Sequence, residues 1–163
     1  MKSKTKYYET STWFLKGFRN TIGYDLEFDL LDEQMLNSLP NCPGVYIITT
    51  TDGEKFNYPK GSNGVIYIGM SKCLKSRLKE HYNCLKPLEE DEDWGICNGY
   101  WKKSSYQYMH YHGAHVYIFK CRKQTQEAKD LESAILWRFY LKYRATPVGN
   151  DARSIPKIKD DRI

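Results

Sequence analysis

The chain has no stretch that reads as a membrane span. Its start, MKSKTKYYETSTWF, has no apolar segment of the kind a secretory leader carries, and no later run is long enough to cross a bilayer. Membrane and secreted classes are therefore not expected. Cysteine is sparse: Cys42, Cys73, Cys84, Cys97 and Cys121 are odd in number and contain no CxxC pair. That pattern excludes a disulfide framework and points to free thiols in a reducing compartment, so a cytoplasmic location is expected. No internal repeat and no low-complexity block appears. Charge of neither sign dominates, because 25 Lys and Arg against 20 Asp and Glu leave a net charge of only +5. This excess permits a polyanionic partner without demanding one. What is present is 163 residues, enough for one domain with a real hydrophobic core.

Periodicity organises that length. Residues 30–39 (LLDEQMLNSL) carry Leu30, Leu31, Met35, Leu36 and Leu39 at helical spacing, and Pro40 and Pro43 stop that helix. GVYIITT (44–50) reads as a strand and ends at the turn signal Thr51-Asp52-Gly53. GVIYIG (64–69) is a second strand, most simply antiparallel to the first. Ser71 is a candidate N-cap for a helix from 72 to about 84, with Leu74, Leu78, Tyr82 and Leu85 as its inner stripe. Residues 86–112 read as irregular, and AHVYIFK (114–120) as a third strand. Thr125 can cap a helix to about Tyr143 with Ala128, Leu131, Ile135 and Phe139 inward. The expectation is an α/β sandwich on a small three-stranded sheet.

Two side chains fit this frame uneasily. Arg77 and His81 are i and i+4 on one helix and share a face just beyond a strand end. A guanidinium at the rim of the buried stripe can present a fork of donors to a phosphate; a solvated basic helix, with Lys72, Lys75 and Lys79 nearby, would look the same in sequence. Glu132 borders the apolar face of the last helix, where a carboxylate needs a cation, a donor set or a metal. A structural salt bridge would also satisfy it.

Taken in order, Gly44-Val45-Tyr46, Tyr67-Ile68-Gly69, Arg77 with His81, Glu132 on a later helix and Asn150 after Pro147 resemble the GIY-YIG nuclease superfamily. The resemblance covers residues 40–150 and its five pieces stand in the family's order. It implies a three-stranded antiparallel sheet flanked by helices, and a metal-dependent endonuclease that hydrolyses phosphodiester bonds in DNA. It divides the chain into an N-terminal helical extension (1–40) packed on the domain, a nuclease-like domain (41–150) and a basic tail (151–163). By this resemblance Glu132 holds Mg²⁺ or Mn²⁺, with waters and the phosphate completing the shell. Arg77 neutralises a non-bridging phosphate oxygen. Tyr46 is the general base or the group that positions the attacking water. A phenol of ordinary pKa near ~10 needs positive charge close by for that task. Tyr67 assists by hydrogen bonding to the water or the phosphate, His81 contacts the phosphate or orients a tyrosine, and Asn150 ties the tail to the site or to the phosphate.

The chain departs from the minimal pattern in four places, the fourth being an expanded segment 85–113. Val45 replaces isoleucine, the loop 51–64 is long, and Met70 stands where some members carry a lysine. The expanded segment 85–113 contains YWKKSSYQYMHYH (100–112), in which Lys102 and Lys103 are interleaved with aromatics. It reads either as a DNA contact, alongside Lys72 and Lys75, or as an aromatic cover over the sheet. The run EEDED (89–93) reads as a solvated loop, and the His and Cys residues of 97–121 match no standard zinc spacing. No separate recognition domain is visible, so the likeness is to compact restriction-type or phage-type enzymes that recognise DNA through loops. One site per chain makes a homodimer or higher oligomer the expected way to cut both strands. The competing class is a nucleic-acid-binding module that kept the fold without the catalysis.

Overall fold

The computed structural model of the chain describes residues 24–85, 104–121 and 125–151. Six strands and four helices occur among them: β1 (Leu26–Asp29), α1 (Glu33–Ser38), β2 (Gly44–Thr49), β3 (Phe56–Tyr58), β4 (Gly61–Asn63), β5 (Val65–Ser71), α2 (Leu74–Leu85), α3 (Ser104–His112), β6 (His115–Lys120) and α4 (Thr125–Tyr143). The α/β class is as expected, but the main sheet has four antiparallel strands in the order β1-β6-β2-β5, and β3-β4 form a separate two-stranded hairpin.

Three differences from the sequence reading have local causes. In LEFD, Leu26 and Phe28 alternate with Glu27 and Asp29, a period-two pattern, and the segment pairs with β6 as an edge strand. Residues 24–40 therefore supply a strand as well as helix. Helix α1 begins only at Glu33 because Asp29 accepts a hydrogen bond from Leu31 N–H and Asp32 caps the helix by accepting from Met35 N–H. Finally, SSYQYMHYH is helical, with Tyr106 and Met109, three apart, turned into the core.

The central strand β2 is buried along its whole length, and its alternation divides the core in two. Val45 and Ile47 face α4, where Val65, Ile68, Phe119, Ile135, Leu136 and Phe139 pack. Tyr46 and Ile48 face the opposite layer, against Leu36, Leu74, Leu78, Tyr106 and Met109 of α1, α2 and α3. Helix α2 starts at Leu74 rather than 72 because Ser71 ends β5 and turns on itself, its hydroxyl bonding Cys73 N–H and C=O. Strand β5 is an edge of the sheet, yet its outward groups are occupied. Gly149 N–H donates to Ile66 C=O at 2.8 Å, and the Asn150 amide bonds both Ile68 N–H (2.9 Å) and Ile68 C=O (2.8 Å).

Among the described residues no helix is long and apolar enough to cross a membrane.

Candidate active site

The two glycines of the tripeptides are explained by close approach. A Cβ on Gly44 would collide with the Phe119 carbonyl oxygen and stand 2.6 Å from Leu74 Cδ1. On Gly69 it would stand 2.7 Å from the Tyr46 hydroxyl and 2.5 Å from the Tyr67 ring. Gly44 thus lets the start of α2 dock against β2, and Gly69 leaves room for two phenols to meet over β5.

Around those phenols a hydrogen-bonded chain runs through the interior. The Arg77 Nε donates to the Tyr46 hydroxyl at 3.4 Å. That hydroxyl lies 2.9 Å from His81 Nε2, and His81 Nδ1 lies 2.7 Å from the Tyr106 hydroxyl. The Tyr67 ring flanks both Tyr46 (5.9 Å between centroids) and His81 (6.2 Å). Tyr46 is 0 % exposed, His81 3 % and Tyr106 2 %, whereas Tyr67 is half-buried. The guanidinium end reaches the surface, where Arg77 Nη1 pairs with Glu80 at 2.7 Å.

Burial, reinforced by Tyr67, pushes the Tyr46 phenol far above its ordinary value, and the neighbouring Arg77 only partly offsets this. Tyr46 is therefore a neutral phenol throughout the working pH range, and it gives up a proton only if a receiver is in contact with it. His81 Nε2 is such a receiver. Burial opposes the charge on Arg77, but Tyr46 and Glu80 more than restore it, so the guanidinium stays protonated.

Glu132 comes to this region from the other side of the sheet. It projects from α4 and lies near the backbone N–H of Met70, one residue past Gly69, which favours its charged form. Ile68, which holds Asn150, and Met70, whose N–H acts on Glu132, are two residues apart on the same edge, about 7 Å along a strand. Burial raises the Glu132 carboxyl above its usual range, the Met70 amide partly counters it, and among the described residues no cation pairs with it.

No group of three or more His, Cys, Asp or Glu side chains among the described residues could hold a metal ion. The donor set on offer is one half-buried carboxylate with free lone pairs. By its chemistry a lone carboxylate is a ligand for hard ions rather than soft ones.

The structure thus brings Tyr46, Tyr67, Arg77 and His81 into contact and sets Glu132 and Asn150 side by side on the adjoining strand edge. Lys72 is exposed and Lys75 half-buried, just before and within the first turn of α2. Lys102 and Lys103 lie outside the described residues, as do the acidic run 89–93 and the tail beyond 151. Of the histidines weighed for zinc, His112 pairs with Asp52 at 2.9 Å and His115 faces Glu27 at 3.7 Å. Tyr106 was not singled out by sequence reasoning. It stood in an aromatic-rich segment with nothing local to connect it to His81. Neither a family model, nor a curated protein, nor a solved structure matches this chain.

Proposed function

We propose that the protein is a divalent-metal-dependent DNA endonuclease of the GIY-YIG type, acting as a compact restriction-type or phage-type enzyme. The observation that carries this reading is the chain Arg77–Tyr46–His81: a fixed cation, a phenol and an imidazole in hydrogen-bonded sequence, buried at one end and reaching solvent at the other.

The chemistry follows from those contacts. Arg77 is held to Glu80 by a surface ion pair of small net strength, so a DNA phosphate competes readily for its outer nitrogens. Its Nε stays on Tyr46, which ties the bound phosphate to the phenol. An attacking water is positioned by Tyr46, whose own proton passes to His81 Nε2, so that the two act together as the general base. Tyr67, half-buried beside them, supplies a hydroxyl to the water or the phosphate. Glu132 would hold Mg²⁺ or Mn²⁺, which would supply positive charge to the departing 3′ oxygen. Asn150 stiffens the strand edge from which Glu132 is held. Lys72 and Lys75, with Lys102 and Lys103, would neutralise flanking phosphates, and two protomers would be required to cut both strands.

The test is incubation with supercoiled plasmid and with single-stranded DNA, each with Mg²⁺, Mn²⁺ or EDTA. Metal-dependent nicking or cutting is the expected result. Metal-independent binding without cleavage of either substrate would replace this reading with a non-catalytic nucleic-acid-binding module.

A further inference from the structure

The hydrogen-bonding capacity of the buried chain determines where its protons lie. Tyr46 is fully buried and has one hydroxyl proton to place. Its two hydrogen-bond partners are Arg77 Nε and His81 Nε2. A guanidinium only donates, so the sole acceptor offered to the Tyr46 proton among the described residues is Nε2 of His81. That nitrogen must then be unprotonated, and a neutral imidazole with a bare Nε2 carries its proton on Nδ1. The group 2.7 Å from Nδ1 is the Tyr106 hydroxyl, which accepts it.

From this geometry we propose that Tyr106 is a positioning residue. It holds His81 in the Nδ1–H tautomer, with Nε2 aimed at Tyr46 as the open base, and its oxygen stabilises the imidazolium that forms when Nε2 takes the Tyr46 proton. The step balances without other reactants: the Tyr46 O–H bond breaks, an Nε2–H bond forms, the phenolate remains beside Arg77, and the Nδ1–H stays on Tyr106. The kinetic consequence rests on the nuclease reading, but the tautomer does not.

Two features make Tyr106 suited to this. Its ring is set in the core by α3, which is held in place on one side by the chain's last described turn. A Cβ on Gly149 would stand only 2.8 Å from Ser105 Cβ, so that turn presses on the residue next to Tyr106. Groups that face His81 include Tyr46 from β2, Tyr67 from β5, Tyr106 from α3 and, through Tyr46, Arg77 from its own helix. Of these it is Tyr106 that lies on Nδ1.

The experiment compares the full-length protein with Tyr106→Phe, which keeps the ring and removes the acceptor. Imidazole ¹⁵N spectra of the unmodified protein should show His81 protonated at Nδ1 and bare at Nε2, with the Nδ1–H protected from exchange; the Phe variant should lose that protection. In plasmid cleavage the variant should lose kcat with KM unchanged. The loss should be roughly ten- to a hundredfold, a part of the ~10²–10⁴ that a general base supplies. The acidic limb of its pH–rate profile should move to lower pH, because the imidazolium has lost an acceptor. An Nε2–H tautomer in the unmodified protein overturns the proposal, and so does a folded Phe variant with unchanged Nδ1–H protection and pH profile. A Phe variant that fails to fold leaves the tautomer of the unmodified protein to decide. If the unmodified protein cuts nothing, the nuclease reading falls while the ¹⁵N spectra still decide the role of Tyr106.

Discussion

Both faces of the sheet bury tyrosine hydroxyls, but the hydrogen bonds lead to different places. On the α4 face Tyr58 donates to Val65 C=O and accepts from Val148 N–H, while Asn63 accepts from Val65 N–H and donates to the Tyr143 hydroxyl. Apart from the Asn63–Tyr143 bond, these end on backbone, and together they tie the β3-β4 hairpin to β5, to the end of α4 and to the segment after it. On the opposite face Arg77, Tyr46, His81 and Tyr106 bond side chain to side chain. Tyr46 and His81 can pass a proton between them beside the fixed charge of Arg77, and the row opens to solvent at Arg77. A buried polar group satisfied by backbone secures one conformation. On the nuclease reading proposed above, a buried row of such groups with an exit to solvent would serve chemistry as well as the fold.

Substitutions should separate the two faces, and the largest effects should fall on cleavage. Arg77→Ala, Tyr46→Phe and Glu132→Gln should each lower metal-dependent plasmid cutting by about 10³ or more, the scale of a lost base or charge stabiliser. Stability in melting should change little for Arg77→Ala and Glu132→Gln, which are at the rim, and fall by about 1–3 kcal/mol for Tyr46→Phe, which removes the hydroxyl bonded to buried His81. Glu132→Gln should bind DNA in EDTA at least as tightly as the unmodified protein, since a carboxylate no longer opposes the phosphates. A Glu132 variant that still cuts would remove the metal assignment.

The other face should respond in the opposite way. Asn63→Ala strands Val65 N–H in the interior and should lower stability by about 1–3 kcal/mol, with the cleavage rate per folded molecule unchanged. Chemical denaturation beside a cleavage assay reads both quantities. Lost cleavage at full stability would erase the contrast between the faces.

Smaller effects concern binding. Replacing Lys72 and Lys75, or Lys102 and Lys103, should weaken DNA affinity with the metal requirement intact. The salt dependence of binding should flatten by roughly one unit of slope for each phosphate that is no longer neutralised. An unaltered slope in a salt titration would place those lysines away from DNA.

The smallest effect is on the pH dependence of stability without metal. Burial raises the Glu132 carboxyl above its value in the unfolded chain, so between the two values the folded state keeps a proton that the unfolded state has released. Stability should therefore fall as pH rises through the window just above the ordinary carboxylate range. Glu132→Gln should flatten that slope in melting curves taken in EDTA.

How much of this could be read from sequence depended on how local the signal was. Helix α4 was legible because Ala128, Ile135 and Phe139 repeat at helical spacing, and all three are buried. Strand β1 was not, since four residues of alternation run directly into Leu30 and Leu31, which fit a helical stripe with Met35. The same limit applied to α3, where aromatic residues occupy every side and only the fold selects Tyr106 and Met109 for the core. Within the site, Arg77 and His81 could be paired from their spacing on one helix. Their meeting with Tyr46 and Tyr67 depends on the β2-β5 register, which sets Tyr46 opposite Gly69. Tyr106 was invisible because its bond to His81 spans a segment with no regular pattern.

The occupied edge of β5 has a further consequence, for assembly. An open strand edge is a template on which another chain can extend the sheet, and it is a common route to aggregation. Here the outward C=O of Ile66 and both outward groups of Ile68 are already held by Gly149 and Asn150 of the same chain. A second copy cannot add its strand there without first displacing those residues. On the proposed reading, a pairing of protomers that set two sites on one duplex would be built more readily from helices, loops or the β1 side than by joining β5 strands.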